Sequence, residues 1–202
     1  MSAEKQPLSV VLPPRLFIAA GLPASAQEFL DGTVQSVAAQ WPATAVRWTA
    51  SGHHHLTLRF LGDTEAARVP ALTRLVDGIA TAAAPFQLKL GSPGVFPANG
   101  PAKVLWMGLR PDAGEAQLRL LQQQLERGLQ NLDWAAETRP YRPHLTLGRV
   151  RAGPHQPLHD WHRAAAAATH SFRVTEILLM HSELHPAGAR YKRVHSAPLV
   201  GT

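Results

Sequence analysis

The tetrapeptide His-Leu-Thr-Leu occurs twice in this 202-residue chain, at 55–58 and again at 144–147. Residues two apart on a β-strand point to the same side, so each copy presents an imidazole beside a hydroxyl, with its leucines facing a core. Two such strands across a groove supply one imidazole to accept a proton and one to donate it, both with an ordinary pKa near 6.5. The hydroxyls can donate to phosphoryl oxygens. The candidate catalytic residues are His55, His144, Thr57 and Thr146.

Hydrophobic periodicity and Gly/Pro signals predict the elements that position these residues. Strands are predicted at 16–20, 46–48, 55–61, 86–90, 104–109, 143–150, 172–180 and 191–195, and helices at 23–40, 64–83, 112–131 and 154–168. A helix, a motif strand and another helix follow one another once in each half of the chain. Because strands and helices do not alternate strictly, we expect an α+β fold. Two pseudo-symmetric lobes, each an antiparallel sheet with flanking helices, are expected around a central cleft.

The chain is predicted to hold one domain, at 12–198, built from two lobes. The segment 91–101 is dense in Gly and Pro, and it is predicted to be a loop and the seam between the lobes. Residues 1–11 are polar and are expected to form a flexible tail rather than a signal peptide.

Charge favours a polyanionic partner. The chain has 20 basic and 14 acidic residues, and most of the excess lies in its second half. Four arginines bracket the second motif: Arg139, Arg142, Arg149 and Arg151. The absence of cysteine excludes disulfides, thiolate metal sites and a cysteine nucleophile. No apolar run reaches the roughly 18 residues of a membrane span, so we expect no membrane partner. A cytoplasmic location and a monomeric state are further expectations.

Two further histidine groups suggest metal binding and are better explained otherwise. His53 and His54 precede the first motif, but a strand cannot direct three successive side chains at one ion. The histidines at 155, 159 and 162 have helical spacing, which is more typical of ordinary exposed helix residues than of a zinc site. We therefore expect neither a metal nor a cofactor. Substitution of His53 or His54 is expected to be nearly silent.

Four side chains near the motifs are candidates for substrate binding: Arg59, Tyr141, Arg142 and Arg149. Strand alternation puts Arg59 on the face of the first motif's histidine, and Arg142 on that of the second. The same alternation places Arg149 on the face opposite His144, unless a bulge at Gly148 returns its side chain to the face of the histidine. Tyr141 has two open interpretations, as a platform for a base or as a core residue.

The segments around both motifs resemble the 2H phosphoesterase superfamily, and within it the RNA 2′,3′-cyclic phosphodiesterases, also called 2′-5′ RNA ligases. The resemblance lies in 15–23, 46–48 with 55–62, 94–97 with 104–106, 142–149, and 182–191. It runs in order over nearly the whole chain. The pair before the first motif departs from the family pattern, since it is His53-His54.

That resemblance implies that His55 is the proton donor and His144 the proton acceptor, and that Thr57 and Thr146 bind phosphate. The expected reaction opens RNA 2′,3′-cyclic ends, tRNA fragments among them, to 2′-phosphates, and reversible 2′-5′ ligation is a further expectation. The alternatives are a phosphodiesterase for small 2′,3′-cyclic nucleotides and an RNA-binding module without catalysis. The residues alone do not distinguish the acid from the base.

Overall fold

A computed structural model describes residues 13–39, 41–151, 170–183, 185 and 189–202. Its helices are α1 (Ala24–Ala38), α2 (Val69–Ala82), which follows a 3₁₀ turn at Ala66–Arg68, and α3 (Ala113–Gln130). Its strands are β1 (Arg15–Ala20), β2 (Val46–Trp48), β3 (Leu56–Asp63), β4 (Phe86–Phe96), β5 (Val104–Leu109), β6 (Leu145–Val150), β7 (Ser171–Val174), β8 (Glu176–Glu183) and β9 (Arg190–Pro198).

The strands described form one antiparallel sheet in the order β7-β4-β5-β6-β3-β1-β8-β9, and β2 pairs with β6 beside this path. The two halves of the sheet meet where β3 pairs with β6, through Leu56 and Leu145 alone. These are the second residues of the two His-Leu-Thr-Leu copies. The motifs therefore meet at the centre of the sheet, at its narrowest pairing.

The two halves repeat one arrangement. In the first, β1 leads through α1 to the motif strand β3, and β1 pairs with both β3 and β8. In the second, β5 leads through α3 to the motif strand β6, and β5 pairs with both β6 and β4. The predicted α+β fold with two pseudo-symmetric lobes is confirmed.

The helices cover the sheet through apolar residues three or four apart. In α1 the buried face consists of Ala26, Leu30, Val34 and Val37, and in α3 it includes Leu118, Leu121, Leu125 and Leu129. The carboxylate of Asp112 caps α3, where it accepts hydrogen bonds from the backbone amides of Gly114 and Glu115 at 3.0 and 3.2 Å. Leu56 and Leu145 are both fully buried, so the strand pair that carries the motifs rests on a packed core.

Two predicted segments differ from the structure. The loop predicted at 91–101 is shorter, because β4 continues through Phe96 and pairs with β5 as a hairpin. The strand predicted at 172–180 is two strands: β7 pairs with β4 and β8 pairs with β1, so the chain crosses between the sheet halves at Thr175. The division into lobes at 91–101 stays a prediction.

Some predictions fall outside the described residues. They are the tail at 1–11, the helix at 154–168 with His155, His159 and His162, and part of the 182–191 segment. Within the described chain, no helix combines the length and the apolar character needed to cross a membrane. The cytoplasmic location and the monomeric state stay predictions.

Candidate active site

The Leu56–Leu145 pair fixes the arrangement of the motif side chains. Since both leucines point into the core, the residues on either side of each leucine point to the opposite face. Continuing the antiparallel register by one residue sets His55 across from Thr146, and Thr57 across from His144. The two histidines are then diagonal neighbours, a relation that spans about 7 Å in an antiparallel pair. The structure thus brings all four predicted catalytic residues together on one face.

Both imidazoles are held by their Nδ1 atoms. Nδ1 of His55 lies 3.1 Å from the carbonyl oxygen of His53, and Nδ1 of His144 lies 2.7 Å from that of Arg142. A carbonyl only accepts, so Nδ1–H donates in both residues and Nε2 is left for chemistry. The duplicated motif therefore produces the same tautomer twice, each time through the carbonyl two residues upstream.

Burial lowers both pKa values, so the expected value near 6.5 is wrong for each. Desolvation is the largest cause, and it lowers the pKa of His55 to about 4 despite the hydrogen bond to His53. The pKa of His144 is also lowered, first by desolvation and further by the charge of Arg149. At neutral pH both rings are neutral in the unliganded protein.

Aromatic rings surround each histidine. The ring of His55 lies 5.0 Å from Phe17 and 4.7 Å from Tyr191, centroid to centroid. The ring of His144 lies 5.0 Å from Phe96 and 6.2 Å from Trp106. These rings exclude water from the imidazoles and explain the desolvation. The alternation pattern of the motif strands could not predict these aromatic neighbours, because the rings belong to other strands.

Arg149 reaches the site because β6 is irregular. The pairing of β5 with β6 shifts between Leu105 and Trp106, so that Leu105 faces Gly148 while Trp106 faces Thr146. The extra residue reverses the alternation beyond Thr146, as expected for a β-bulge. After desolvation, the charge of Arg149 further lowers the pKa of both motif histidines, and it partly offsets the rise that burial causes in the pKa of Tyr191. The extra residue lies directly before Gly148, where the sequence analysis allowed for a bulge. The substrate-binding role of Arg149 stays a prediction.

A similar irregularity in the other motif strand, β3, turns Arg59 away from the face that carries His55. The predicted place of Arg59 beside His55 is therefore wrong. The β1–β3 register shifts between Ile18 and Ala19, opposite Leu58. Arg59 forms ion pairs with Glu126 at 3.0 Å and Glu137 at 3.2 Å. In β3 the residue that corresponds to Arg149 is Phe60, because each lies five residues after its motif histidine. Its side chain is 60% exposed.

Among the other predicted residues, Tyr141 and Arg139 bind neighbouring protein groups, whereas Arg142 lines a cavity. The hydroxyl of Tyr141 donates to the carbonyl oxygen of Thr57 at 3.2 Å, and its ring packs against the core, so it is no base platform. Arg139 is bound to Glu137 at 3.1 Å. Arg142 is exposed and lines a cavity beside His144.

His54 is a supporting residue that the sequence did not reveal. It is 3% exposed, and its Nε2 lies 3.0 Å from the carboxylate of Asp31 in α1. The side-chain amide of Gln27 binds the backbone of His54 twice. The backbone N–H of His54 donates to Oε1 of Gln27 at 3.1 Å, and Nε2 of Gln27 donates to the carbonyl oxygen of His54 at 2.7 Å. These bonds fix the turn that leads into His55. The expectation that this residue is nearly silent conflicts with its burial.

Within the described residues, no group of three His, Cys, Asp or Glu side chains is close enough to hold a metal ion. His54 is committed to Asp31, while His53 is exposed. The consecutive histidines therefore point in different directions, as strand geometry requires.

Comparison with known proteins finds relatives that are similar to this chain in sequence and in fold. The chain is 32% identical to the RNA 2′,3′-cyclic phosphodiesterase of Escherichia coli (strain K12) over 186 residues, which cover 89% of this chain and 93% of that one. It is 28% identical to the protein of that name from Geobacillus stearothermophilus over 92% of its own length, but spans only 57% of that relative. The crystal structure of E. coli LigT complexed with 3′-AMP superposes with a TM-score of 0.71 at 29% identity, covering 93% of this chain and 98% of that one.

A family model matches most of the chain. The model described as the 2′-5′ RNA ligase superfamily covers residues 23–186, a span that includes both motifs and the strands that carry them. With the two histidines paired at the centre of the sheet, this match shows that the protein belongs to the 2′-5′ RNA ligase superfamily.

Proposed function

We propose that this protein is an RNA 2′,3′-cyclic phosphodiesterase that opens cyclic phosphate ends to 2′-phosphates without a metal ion. The observation that carries the proposal is the Leu56–Leu145 pairing, which puts two imidazoles with free Nε2 atoms on one face. Relatives that carry this name cover most of the chain, which supports the same substrate class.

In the proposed reaction a water molecule attacks the cyclic phosphorus while Nε2 of His144 accepts its proton. The bond from phosphorus to O3′ breaks, and His55 donates a proton to O3′, which leaves the phosphate on O2′. Attacking and leaving oxygens lie on opposite sides of phosphorus in an in-line displacement. Two imidazoles on either side of one phosphate suit this reaction, since each acts on one oxygen.

The donor must be protonated, yet its pKa of about 4 leaves about one molecule in a thousand charged at pH 7. An anionic phosphate between the histidines raises the pKa of His55, because it favours the charged ring. We infer that the substrate brings the donor into its active state.

Three side chains are suited to hold the phosphate. Thr57 and Thr146 lie beside the histidines on the same face, and their hydroxyls can donate to non-bridging oxygens. Arg149 brings the positive charge. Because an electrostatic contact that strengthens in the transition state accelerates the reaction, Arg149→Ala is expected to lower kcat as well as raise KM.

The deciding experiment is product analysis of an RNA strand with a 2′,3′-cyclic end, incubated with the protein in excess EDTA. The expected product is the 2′-phosphate alone, at the same rate as without EDTA. Mainly 3′-phosphate would refute the roles of the two histidines. Loss of turnover in EDTA that a metal restores would refute metal independence. RNA binding without turnover would identify a non-catalytic binding module, and turnover of cyclic mononucleotides only would identify a small-nucleotide enzyme.

A further inference from the structure

The two motif strands share little backbone pairing. In the described chain β3 pairs with β6 only through Leu56 and Leu145, whereas β1 pairs with β3 along its whole length. A single residue pair is a weak constraint, because the two strands can turn about it. The proposed reaction nevertheless needs His55 and His144 at a fixed separation, since both act on oxygens of one phosphate. Other contacts across the junction of β3 and β6 are therefore needed to hold the two imidazoles in place.

The side chain of Tyr141 crosses this junction from the second motif to the first. Tyr141 lies three positions before His144, and its hydroxyl donates to the carbonyl oxygen of Thr57 at 3.2 Å. Burial raises the pKa of the phenol, so the hydroxyl keeps the proton that this hydrogen bond needs. The backbone carbonyl of Tyr141 in turn accepts a hydrogen bond from Arg119 of α3 at 3.0 Å. The first motif is thus tied to a segment that is anchored on a helix of the second half.

Thr49 crosses the same junction in the opposite direction. It follows β2, six positions before His55, and its hydroxyl donates to the carbonyl oxygen of Thr146 at 2.9 Å. Its backbone N–H donates to the carbonyl oxygen of Leu147 at 2.8 Å, which fixes the residue against β6. Nδ1 of His54 lies 3.4 Å from the oxygen of Thr146, beyond the usual length of an N–H···O bond. The hydroxyl of Thr49 is therefore the closer donor to the second motif.

The two hydrogen bonds are reciprocal. Each runs from the segment that leads into one motif strand to the carbonyl of the threonine in the other motif. By the strand register, Thr57 lies across from His144. Thr146 lies across from His55, on the other side of the single residue pair. Because the peptide group is planar, a carbonyl that is held also fixes the backbone next to it. Bonds on both sides of the pair therefore oppose a turn of one strand against the other.

We propose that Tyr141 and Thr49 are positioning residues that together set the separation of the two motif imidazoles. They act through the backbone of the motifs rather than on the substrate, which gives Tyr141 a role other than the predicted binding of substrate. Without either hydroxyl the strands can turn about their single residue pair, and the imidazoles then leave the geometry of an in-line displacement. A misplacement of about 1 Å can lower the rate of an enzyme about 10²-fold. The inference rests on the proposed function.

The kinetics of two isosteric variants test this role. Tyr141→Phe and Thr49→Val each remove one hydroxyl and keep the shape of the side chain. On an RNA strand with a 2′,3′-cyclic end, each should lower kcat about tenfold and change KM less than about twofold, because the lost bond acts on the chemical step. The double variant should lose about 10²-fold, since neither bond then limits the turn. Both limbs of the pH profile should remain, because both imidazoles are present. Thr49→Ser keeps the hydroxyl and should restore the wild-type kcat.

Thr33→Val is the matched control for the loss of a threonine hydroxyl. The hydroxyl of Thr33 also donates to a backbone carbonyl at 2.9 Å, that of Phe29, and the residue is half-buried as Thr49 is. This bond lies within α1 and does not cross the junction of β3 and β6. The control variant should therefore keep the wild-type kcat and KM.

Two results would show that the bonds across the junction are structural only and would overturn the proposal. One is a wild-type kcat in both Tyr141→Phe and Thr49→Val, and the other is a Thr49→Ser variant no better than Thr49→Val. A rise in KM with kcat unchanged in Tyr141→Phe would assign its hydroxyl to substrate binding, which also overturns it. A wild-type protein that hydrolyses no cyclic end would instead refute the proposed function and, with it, this inference.

Discussion

The two motif histidines share a backbone setting and differ in their surroundings. Each precedes a motif strand, and each donates through Nδ1 to the carbonyl two residues upstream. His55, however, lies between Phe17 and Tyr191 and follows a turn that α1 holds through His54. His144 borders a cavity whose wall includes the exposed Arg110 and Arg142. The pKa of both is lowered by desolvation, and that of His55 reaches about 4.

The comparison separates what the duplicated motif determines from what its neighbours determine. The motif determines position and tautomer, because both depend only on the strand and on a local carbonyl. The neighbours determine protonation and access, because these depend on rings and charges from other strands. Equal sequences thus produce two histidines with the same tautomer in unequal environments.

The largest expected effect is loss of either histidine. His55→Ala and His144→Ala should each lower kcat/KM on an RNA cyclic end by about 10²- to 10⁴-fold, the range for lost general acid–base catalysis. The wild type should show a bell-shaped dependence of rate on pH, whose limbs are macroscopic values of the coupled pair. Each variant should lose one limb, and the two should lose opposite ones.

His53→Ala is the control for this pair, because its side chain is exposed and its carbonyl remains to hold His55. It should retain most of the wild-type rate. If either catalytic variant kept more than a tenth of the wild-type kcat/KM, or if both lost the same limb, the division into acid and base would be wrong.

The next effect concerns stability in acid. The pKa of His55 is about 4 in the folded protein and about 6.5 in the unfolded chain, so falling pH favours the unfolded chain, which binds the proton more tightly. The contribution of His55 to the free energy of unfolding is fully present above about pH 6.5 and is lost as the pH falls to about 4. The loss is on the order of 3 kcal/mol in all. His54 and His144, whose pKa values are also lowered, act in the same direction.

Denaturant unfolding at pH 7 and at pH 5 measures this effect. His55→Gln should lose less stability between the two than the wild type, because it removes one group that must be protonated. Addition of inorganic phosphate should raise the pKa of His55, as followed by its imidazole NMR signal, because an anion between the histidines favours the charged ring. A His55 signal that titrates near 6.5 without ligand would contradict the desolvated environment.

The sequence predicted most elements and the four central residues, because these depend on local periodicity and on a repeated motif. It was wrong at Arg59 and could place Arg149 only conditionally, because a single extra residue reverses the alternation in each motif strand. Arg59 and Arg149 lie four and five residues after their motif histidines, and both are moved by irregularities that appear only in the strand pairing. The depressed pKa values could not be predicted either, since the rings that cause them, Phe17 and Tyr191 among them, are distant in sequence.

A smaller effect should distinguish the two histidines before the motif. His54→Ala leaves the buried side of Asp31 without its partner and should lower the free energy of unfolding by about 2 kcal/mol. His53→Ala should change it by less than about 0.5 kcal/mol, as is usual for exposed residues. Urea titration of both variants measures the difference. Equal stability of the two would show that the His54–Asp31 contact contributes nothing, as the sequence alone suggests.

The smallest effect concerns Phe60, which occupies in the first lobe the place that Arg149 holds in the second. Its ring lies 5.9 Å from Phe17, which in turn contacts His55, so it borders the side where the leaving ribose is expected. An exposed ring at this place can stack on the terminal base, and a partial stack contributes about 1 kcal/mol. Phe60→Ala should therefore raise KM for an RNA cyclic end about fivefold with kcat unchanged, while Phe60→Tyr keeps the wild-type KM. Since 60% of the side chain is exposed, thermal unfolding should be unaffected. A drop in kcat with KM unchanged would instead mean that Phe60 acts on the reacting phosphate, as we propose for Arg149, and the two lobes would then be functionally alike at this position.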